Sequence, residues 1–337
     1  MRRVATALVL CALIGIGAVA IVDSVRGDGD GAPVATTGAD GAAETGVMPA
    51  TLRVAGSIAV DRPAGIAVAE GSVWVTSAAA GTVVRIDPSR NAVVATIELG
   101  DFRPSYVVAG RGRVWVVDER RGEAVRIDPA TNTVGGRIPI GESPLGLVFS
   151  GGDAWVPNLA GSSVSRIDPQ DGELRSGVSV ARPTRLAGGT ASVWAVSPGE
   201  RTVTRIDTAS NLVLATITFE DAPDDIAVGS GAVWVSHPAA RSISRIDPAT
   251  NKVAATIRLR QSAEPLFLAY GGGGLWVLSL TNILRIDPRT NRVAATAPLE
   301  LARHPGPEPL VLGGLAVGEG GAWVADTYAS KIVRVEG

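Results

Sequence analysis

From residue 63 onward the chain alternates short apolar runs with clusters of Gly, Asn, Asp and Pro. In residues 63–99 the runs are Gly65–Val68, Ser72–Ser77, Thr82–Asp87 and Ala92–Leu99, each rich in Val and Ile. They are too short for helices and are bounded by turn formers, so the pattern predicts four β-strands. Ala69-Glu70-Gly71 predicts the turn between the first two strands. Asp87-Pro88-Ser89-Arg90-Asn91 predicts the turn between the last two and recurs as DPATN at 128 and 247 and DPRTN at 287. In such turns Asp bonds backbone amides ahead of it and Asn tolerates positive φ. The acidic spacing of a calcium loop is missing, so these Asp residues read as turn formers rather than metal ligands.

The four-strand unit repeats. Trp stands at 74, 115, 155, 194, 234, 276 and 323, at intervals of 41, 40, 39, 40, 42 and 47 residues. RIDP follows at 85, 126, 166, 245 and 285, RIDT at 205 and RVE at 334. Pro63, Pro104, Pro144, Pro183, Pro223 and Pro265 open most units. A period near 40 residues without helical periodicity inside it marks an array of β units. The expected fold is all-β, a seven-bladed β-propeller of four-stranded antiparallel blades. The last unit, ending Lys331–Glu336, holds only three strands, and Arg53–Val60 matches the fourth-strand pattern of Ala92–Leu99. The N-terminal strand is therefore expected to complete the last blade, which closes the ring and removes its open edges. Trp and Arg lie 11 residues apart in six units and 9 apart at Trp276/Arg285. A difference of two keeps the cross-strand register, because strand side chains alternate with period two. The spacing predicts Trp–Arg packing of cation–π character, worth about 0.5–1 kcal/mol per pair.

Composition and charge narrow the function classes. Apolar residues make up 46% of the 337 and charged residues 19%, enough apolar material for a large core. A net charge of −2 removes the basic field that non-specific nucleic-acid binding needs. With one cysteine, Cys11, and two histidines, His237 and His304, no multi-Cys or His-rich metal centre is expected, and no cofactor is implied. Arg2 and Arg3 precede an apolar run from Val4 to Val22. Residues 1–22 read as a signal peptide or an N-terminal membrane anchor, which places the rest outside the cytoplasm, secreted or tethered. Membrane contact is expected only through that segment, if it stays uncleaved. Residues 23–50, rich in Gly, Ala, Asp and Thr, read as a flexible linker, and residues 51–337 as the propeller.

The second strands with their following residues read WVTS, WVVD, WVPN, WAVS, WVSH, WVLS and WVAD. With RIDP in the third strand and ATI in the fourth, the repeats resemble the YVTN-type β-propeller repeat of exported bacterial proteins over about residues 52–336. They are similar, more loosely, to NHL-type propellers and to streptogramin lyases. The resemblance implies an architecture, and such a fold hosts many activities. The lyase resemblance would imply elimination of a lactone by histidine and glutamate with a magnesium ion. Here His237 and His304 are each followed by Pro and match no Glu-x-His arrangement, so no catalytic residue is carried over.

Candidate binding residues come from the two ends of the predicted blades. The turns before each Trp and the DPxTN turns are nearly uniform, whereas the loops between second and third strands vary from SAAAGT and DERRGE to HPAARS and DTYASK. The inter-blade loops vary as well, and variation gathered on one face of a repeat scaffold marks a binding face. Two residues after each opening Pro stand Gly65, Tyr106, Gly146, Arg185, Asp225 and Phe267, expected at the tunnel mouth. Tyr106, Arg185, Asp225 and Phe267 would give that mouth aromatic, basic and acidic walls suited to a small molecule or peptide. Alternatively, Arg185 and Asp225 only neutralise each other. The third residue after each Trp is always polar, and turn capping is the simpler reading there. Of these, Asp118, His237 and Asp326 join the candidates, with Arg103 of the GDFRPSY loop. Together these features favour a non-enzymatic recognition or scaffold protein that binds a small molecule, peptide or protein partner. The alternative is a metal-assisted lyase or hydrolase of the streptogramin-lyase type, using His237 with Asp225 and Glu264.

Overall fold

A computed structural model describes residues 51–260, 263–299, 301 and 313–337. The signal or anchor segment 1–22, the linker 23–50, and His304 lie outside the described residues. Among the described residues no helix is long and apolar enough to cross a membrane.

The chain forms seven four-stranded antiparallel sheets. Blade 1 runs through Ile66–Ala69, Ser72–Ser77, Thr82–Asp87 and Ala92–Glu98, within a residue of the expected strands. Blades 2 to 6 repeat that order over residues 106–139, 148–179, 185–218, 226–258 and 267–298. Blade 7 takes three strands from the C-terminal end, Gly314–Gly318, Gly321–Asp326 and Lys331–Glu336. Its fourth strand is Arg53–Ala59, paired antiparallel from Arg53↔Glu336 to Ala59↔Lys331. Ring closure by the N-terminal strand is thus as expected.

The core is divided into seven clusters, each lying between consecutive blades and each holding one Trp. Trp74 packs on Val107, Val114 and Ile127 of blade 2, and Trp323 packs on Ile66, Val73 and Ile86 of blade 1. The indole N–H of Trp74, Trp155, Trp234, Trp276 and Trp323 donates to the carbonyl five residues earlier, at 3.0–3.3 Å. That bond satisfies the polar atom of an otherwise apolar ring. Every Trp stands directly opposite its Arg, from Trp74↔Arg85 to Trp323↔Arg334 and including Trp276↔Arg285. The guanidinium carbons sit 4.9–5.5 Å from the ring centroids.

The arginines also join blade to blade. Arg85 Nη1 donates to Pro129 O at 2.6 Å and Asn132 Oδ1 at 3.1 Å, both in the DPATN turn of blade 2. Arg205 reaches Pro248 O and Asn251 Oδ1 in the same way. Arg334 reaches back to Pro88 O and Asn91 Oδ1 of blade 1, a second closure of the ring. The turn Asn therefore has two tasks: it holds a positive φ (50° at Asn91, 59° at Asn132) and accepts a neighbouring guanidinium. Asn132→Gly keeps the φ and removes the acceptor. It is expected to cost about 1.5–3 kcal/mol, the scale of a hydrogen bond to a charged group, in urea denaturation; an unchanged midpoint would mean the staple adds nothing. The junction of blades 5 and 6 departs from this pattern. Arg245 Nε and Asn291 Oδ1 are both buried there without a hydrogen-bond partner. Nearer the axis the same junction is tied by the Leu268 amide, which donates to Asp225 Oδ2 at 2.7 Å.

Candidate functional site

The first strands of the blades line the ring axis, and the second residue after each opening Pro decides what enters it. At blade 1 this residue is Gly65, where an added Cβ would lie 3.0 Å from the Tyr106 Cα, so the backbones can approach only without a side chain. At blade 3 it is Gly146, with φ +106°, and the Tyr106 ring occupies the space beside it, 3.6 Å from where a Cβ would stand. The empty position in blade 3 leaves room for Tyr106 of blade 2 on the side of Arg185 in blade 4.

Tyr106, Arg185 and Asp225 line one axial cavity of about 50 Å³, closed in by Leu145, Leu147 and Leu268. Their exposures are 2%, 9% and 5%, so all three polar groups are largely withdrawn from water. Arg185 Nε stands 3.7 Å from Asp225 Oδ1, an ion pair too long for a hydrogen bond. Arg185 Nε and the Tyr106 hydroxyl are buried without a hydrogen-bond partner. Arg185 Nη1 reaches the Thr184 carbonyl at 3.4 Å. Buried donors left open in this way are costly to a fold that makes no use of them.

The electrostatics follow from burial around one cation. Burial pushes the Asp225 carboxyl from 3.8 up to about 6, against the pull of the Arg185 charge and the Leu268 amide. Burial also raises its neighbour Asp224, again opposed by Arg185. The Tyr106 phenol is pushed up to about 12 by burial, with Arg185 opposing. At neutral pH the site therefore holds a carboxylate able to take a proton, a phenol that stays a donor, and a fixed cation. Titratable groups displaced toward neutrality inside a cavity are a mark of functional sites.

The remaining candidates lie elsewhere. Phe267 turns into the apolar core between blades 6 and 7, with Leu278 and Leu315, and does not line the cavity. Tyr270, which the repeat pattern did not single out, lines the cavity instead; its ring fills the space that a Cβ at Gly229 would need. Asp118 caps its hairpin, with Oδ1 accepting the amides of Arg120 and Arg121 and Oδ2 accepting that of Arg103 at 2.8 Å. The Arg103 side chain is exposed. Asp326 Oδ1 accepts the Ala329 amide, and its other oxygen lies 3.9 Å from Lys331.

His237 lines a separate cavity of about 320 Å³ between blades 4 and 5. Its Nδ1 faces Asp221 O at 3.2 Å, its Nε2 faces Ser244 Oγ at 3.0 Å, and its ring leans on Phe219. Burial lowers its pKa, which keeps the imidazole neutral. Asp225 is committed to the axial cavity, and Glu264 pairs with Arg241 at 3.4 Å. The set His237, Asp225 and Glu264 is therefore not assembled. Among the described residues no group of three or more His, Cys, Asp or Glu is placed to hold a metal ion. The described residues do not fit the magnesium site that the lyase resemblance implies.

No protein-family model matches the chain, and no curated protein matches its sequence. Solved structures do match its fold. Virginiamycin B lyase from Staphylococcus aureus superposes with a TM-score of 0.70 at 19% identity, over 85% of this chain and 99% of that one. A streptogramin B lyase gives 0.68 at 19% identity, over 85% and 97%. Hydrazine synthase of Kuenenia stuttgartiensis gives 0.69 at 14% identity, over 82% and 96%. At these identities the likeness shows a shared seven-bladed propeller fold. It also corrects the preference for a non-enzymatic role drawn from the sequence, because the named proteins built on this fold are two lyases and a synthase.

Proposed function

We propose that the chain is an enzyme of the lyase or hydrolase class, with the axial cavity as its catalytic site and an anionic small molecule as its substrate. The observation that carries this reading is a buried carboxyl shifted to about 6 beside a guanidinium Nε and a phenol that both lack hydrogen-bond partners. Arg185 and Tyr106 donate to an oxygen of the substrate. In a cavity withdrawn from water such donors stabilise developing negative charge far more than they would in solvent. Asp225 is the base: Oδ2 is held by the Leu268 amide, which orients Oδ1 for the proton. Among the described residues that line the cavity the polar side chains are Tyr106, Arg185, Asp225 and Tyr270, a set suited to proton removal and charge stabilisation in an elimination. Asp225 takes the proton from the carbon next to the carboxylate or carbonyl whose oxygen is bound; the C–H electron pair becomes the new C=C bond, and the β-substituent leaves with the electron pair of its own bond to carbon. A cavity of about 50 Å³ admits only the reacting end, so the rest of the substrate lies over the variable loops.

Turnover of small lactones, esters and β-substituted carboxylates tests this. In the wild type kcat/KM is expected to rise with pH through about 6, as Asp225 loses its proton. Asp225→Asn keeps an acceptor for Leu268 and is expected to lose about 10²-fold or more, the usual share of a general base. His237→Gln is expected to leave turnover unchanged. Turnover abolished by His237→Gln and retained by Asp225→Asn would move the chemistry out of the axial cavity.

A further inference from the structure

Blade 2 departs from its sister blades at several neighbouring positions, and the departures meet at one open cavity of about 630 Å³. That cavity lies at the end of the blades that carries the first and last turns, away from the axial mouth. The first turn is Arg111-Gly112-Arg113, where blade 1 has Glu70-Gly71-Ser72, blade 3 has Gly151-Gly152-Asp153 and blade 7 has Glu319-Gly320-Gly321. Arg111 takes the same left-handed φ, 56°, that Glu70 and Glu319 take at 54° and 49°, so the turn geometry is common and only the charge is new.

The position of Arg113 matters most. In blades 1, 3 and 4 the equivalent residue accepts the Nε–H of the cross-strand arginine. Arg85 donates to Ser72 Oγ at 2.9 Å, Arg166 to Asp153 Oδ2 at 2.6 Å and Arg205 to Ser192 Oγ at 2.9 Å. In blade 2 a second cation stands where Arg126 would have its acceptor. The outer strand beside it carries Gly135-Gly136 where blade 1 has Val94-Ala95, and Gly135 lines the cavity without a side chain. The facing turn of blade 3 is Asp168-Pro169-Gln170-Asp171-Gly172 and lacks the usual Asn, so Arg126 takes the Pro169 and Gln170 carbonyls.

The cavity is thus lined by Arg111, Arg113 and Arg126 against one carboxylate, Asp128. Asp128 is already committed: Oδ1 accepts the amides of Ala130 and Thr131, and Oδ2 accepts from Arg113 at 2.9 Å. Glu70 of blade 1 accepts the Gly112 amide at 3.0 Å and steadies the turn. The Arg111 guanidinium has no partner among the described residues. Crowding like charges costs stability unless something of opposite charge is bound between them. Planar guanidinium forks match the oxygens of a phosphoryl or sulfuryl group two at a time.

We propose that this cavity is a binding site for a tetrahedral oxyanion, a phosphoryl or sulfuryl group carried on a small molecule. It is separate from the axial cavity and does not depend on the reaction assigned there. Calorimetric titration of the full chain with inorganic phosphate and with sulfate, against sodium chloride at matched ionic strength, tests it. Saturable binding of one or both oxyanions is expected, with no saturable response to chloride. Affinity that rises for phosphate and not for sulfate as pH passes the second ionisation of inorganic phosphate, near neutrality, would mark a phosphoryl site; equal affinity across that range would mark a sulfuryl site. Arg111→Gly with Arg113→Ser gives blade 2 a turn its sisters already form, and is expected to weaken binding at least about tenfold. The proposal is overturned if neither oxyanion gives a saturable signal, or if the double variant binds as the wild type does.

Discussion

A chain lacking residues 51–60 is expected to lose its single cooperative melting transition and to aggregate. Strand Arg53–Ala59 is the fourth strand of blade 7, paired with Lys331–Glu336 along its length. Leu52 is buried in the core between blades 6 and 7, and Ile58 and Val60 in the core between blades 7 and 1. Each of these side chains contributes about 1.5–3 kcal/mol by burial, against a domain stability of about 5–15 kcal/mol. Their loss also bares Lys331–Glu336 as an open edge beside unfilled core, a template for pairing with other chains. Light scattering after size exclusion, together with a thermal melt, reads both effects. A synthetic peptide of the missing strand is expected to restore the transition. A truncated chain that stays monomeric and melts as the full chain does would mean the ring closes without it.

Trp155→Ala is the second large effect, expected at about 3–5 kcal/mol in urea denaturation. Trp155 is fully buried between blades 3 and 4, against Leu186, Val193 and Ile206. Its removal leaves a cavity that the neighbouring strands, paired on both sides, cannot collapse to fill. It also leaves the Ser150 carbonyl without its 3.0 Å partner, and strips from Arg166 the ring it covers at 5.3 Å. Arg166 keeps Asp153 and Asn211, so the charge remains paired and most of the loss is packing. A cost below about 1 kcal/mol would contradict the assignment of the Trp array as structural anchors.

Trp–Arg register was legible because it depends on pattern within one repeat, and blade number and ring closure because they depend on comparing one repeat with the next. Trp74 and Arg85 face each other across a single hairpin, and the side-chain alternation that pairs them is written in consecutive residues. The blade-to-blade staples were not legible. Arg85 and Asn132 are 47 residues apart, and nothing inside one repeat says that the guanidinium leans toward the next blade. The axial cavity was legible in part. Tyr106, Arg185 and Asp225 share a register position and meet because each has a polar atom to hold at the mouth. Phe267 has the same register and no such atom, so its ring gains more in the apolar core beside Leu278. His237 drew attention as a rare residue, yet both its ring nitrogens face local partners, Asp221 and Ser244.

The catalytic reading rests on Asp225 ionising late. Folding raises this carboxyl above its unfolded value of 3.8, so its contribution to stability is full below about that pH and is lost as pH rises through about 6. Carboxyl carbon NMR of aspartate-labelled protein, wild type against Asp225→Asn, measures the ionisation directly and needs no substrate. One resonance absent from the variant and titrating near 6 is the result expected. A midpoint for that resonance at the ordinary aspartate value, near 4, would remove the base from the axial cavity and the proposed chemistry with it.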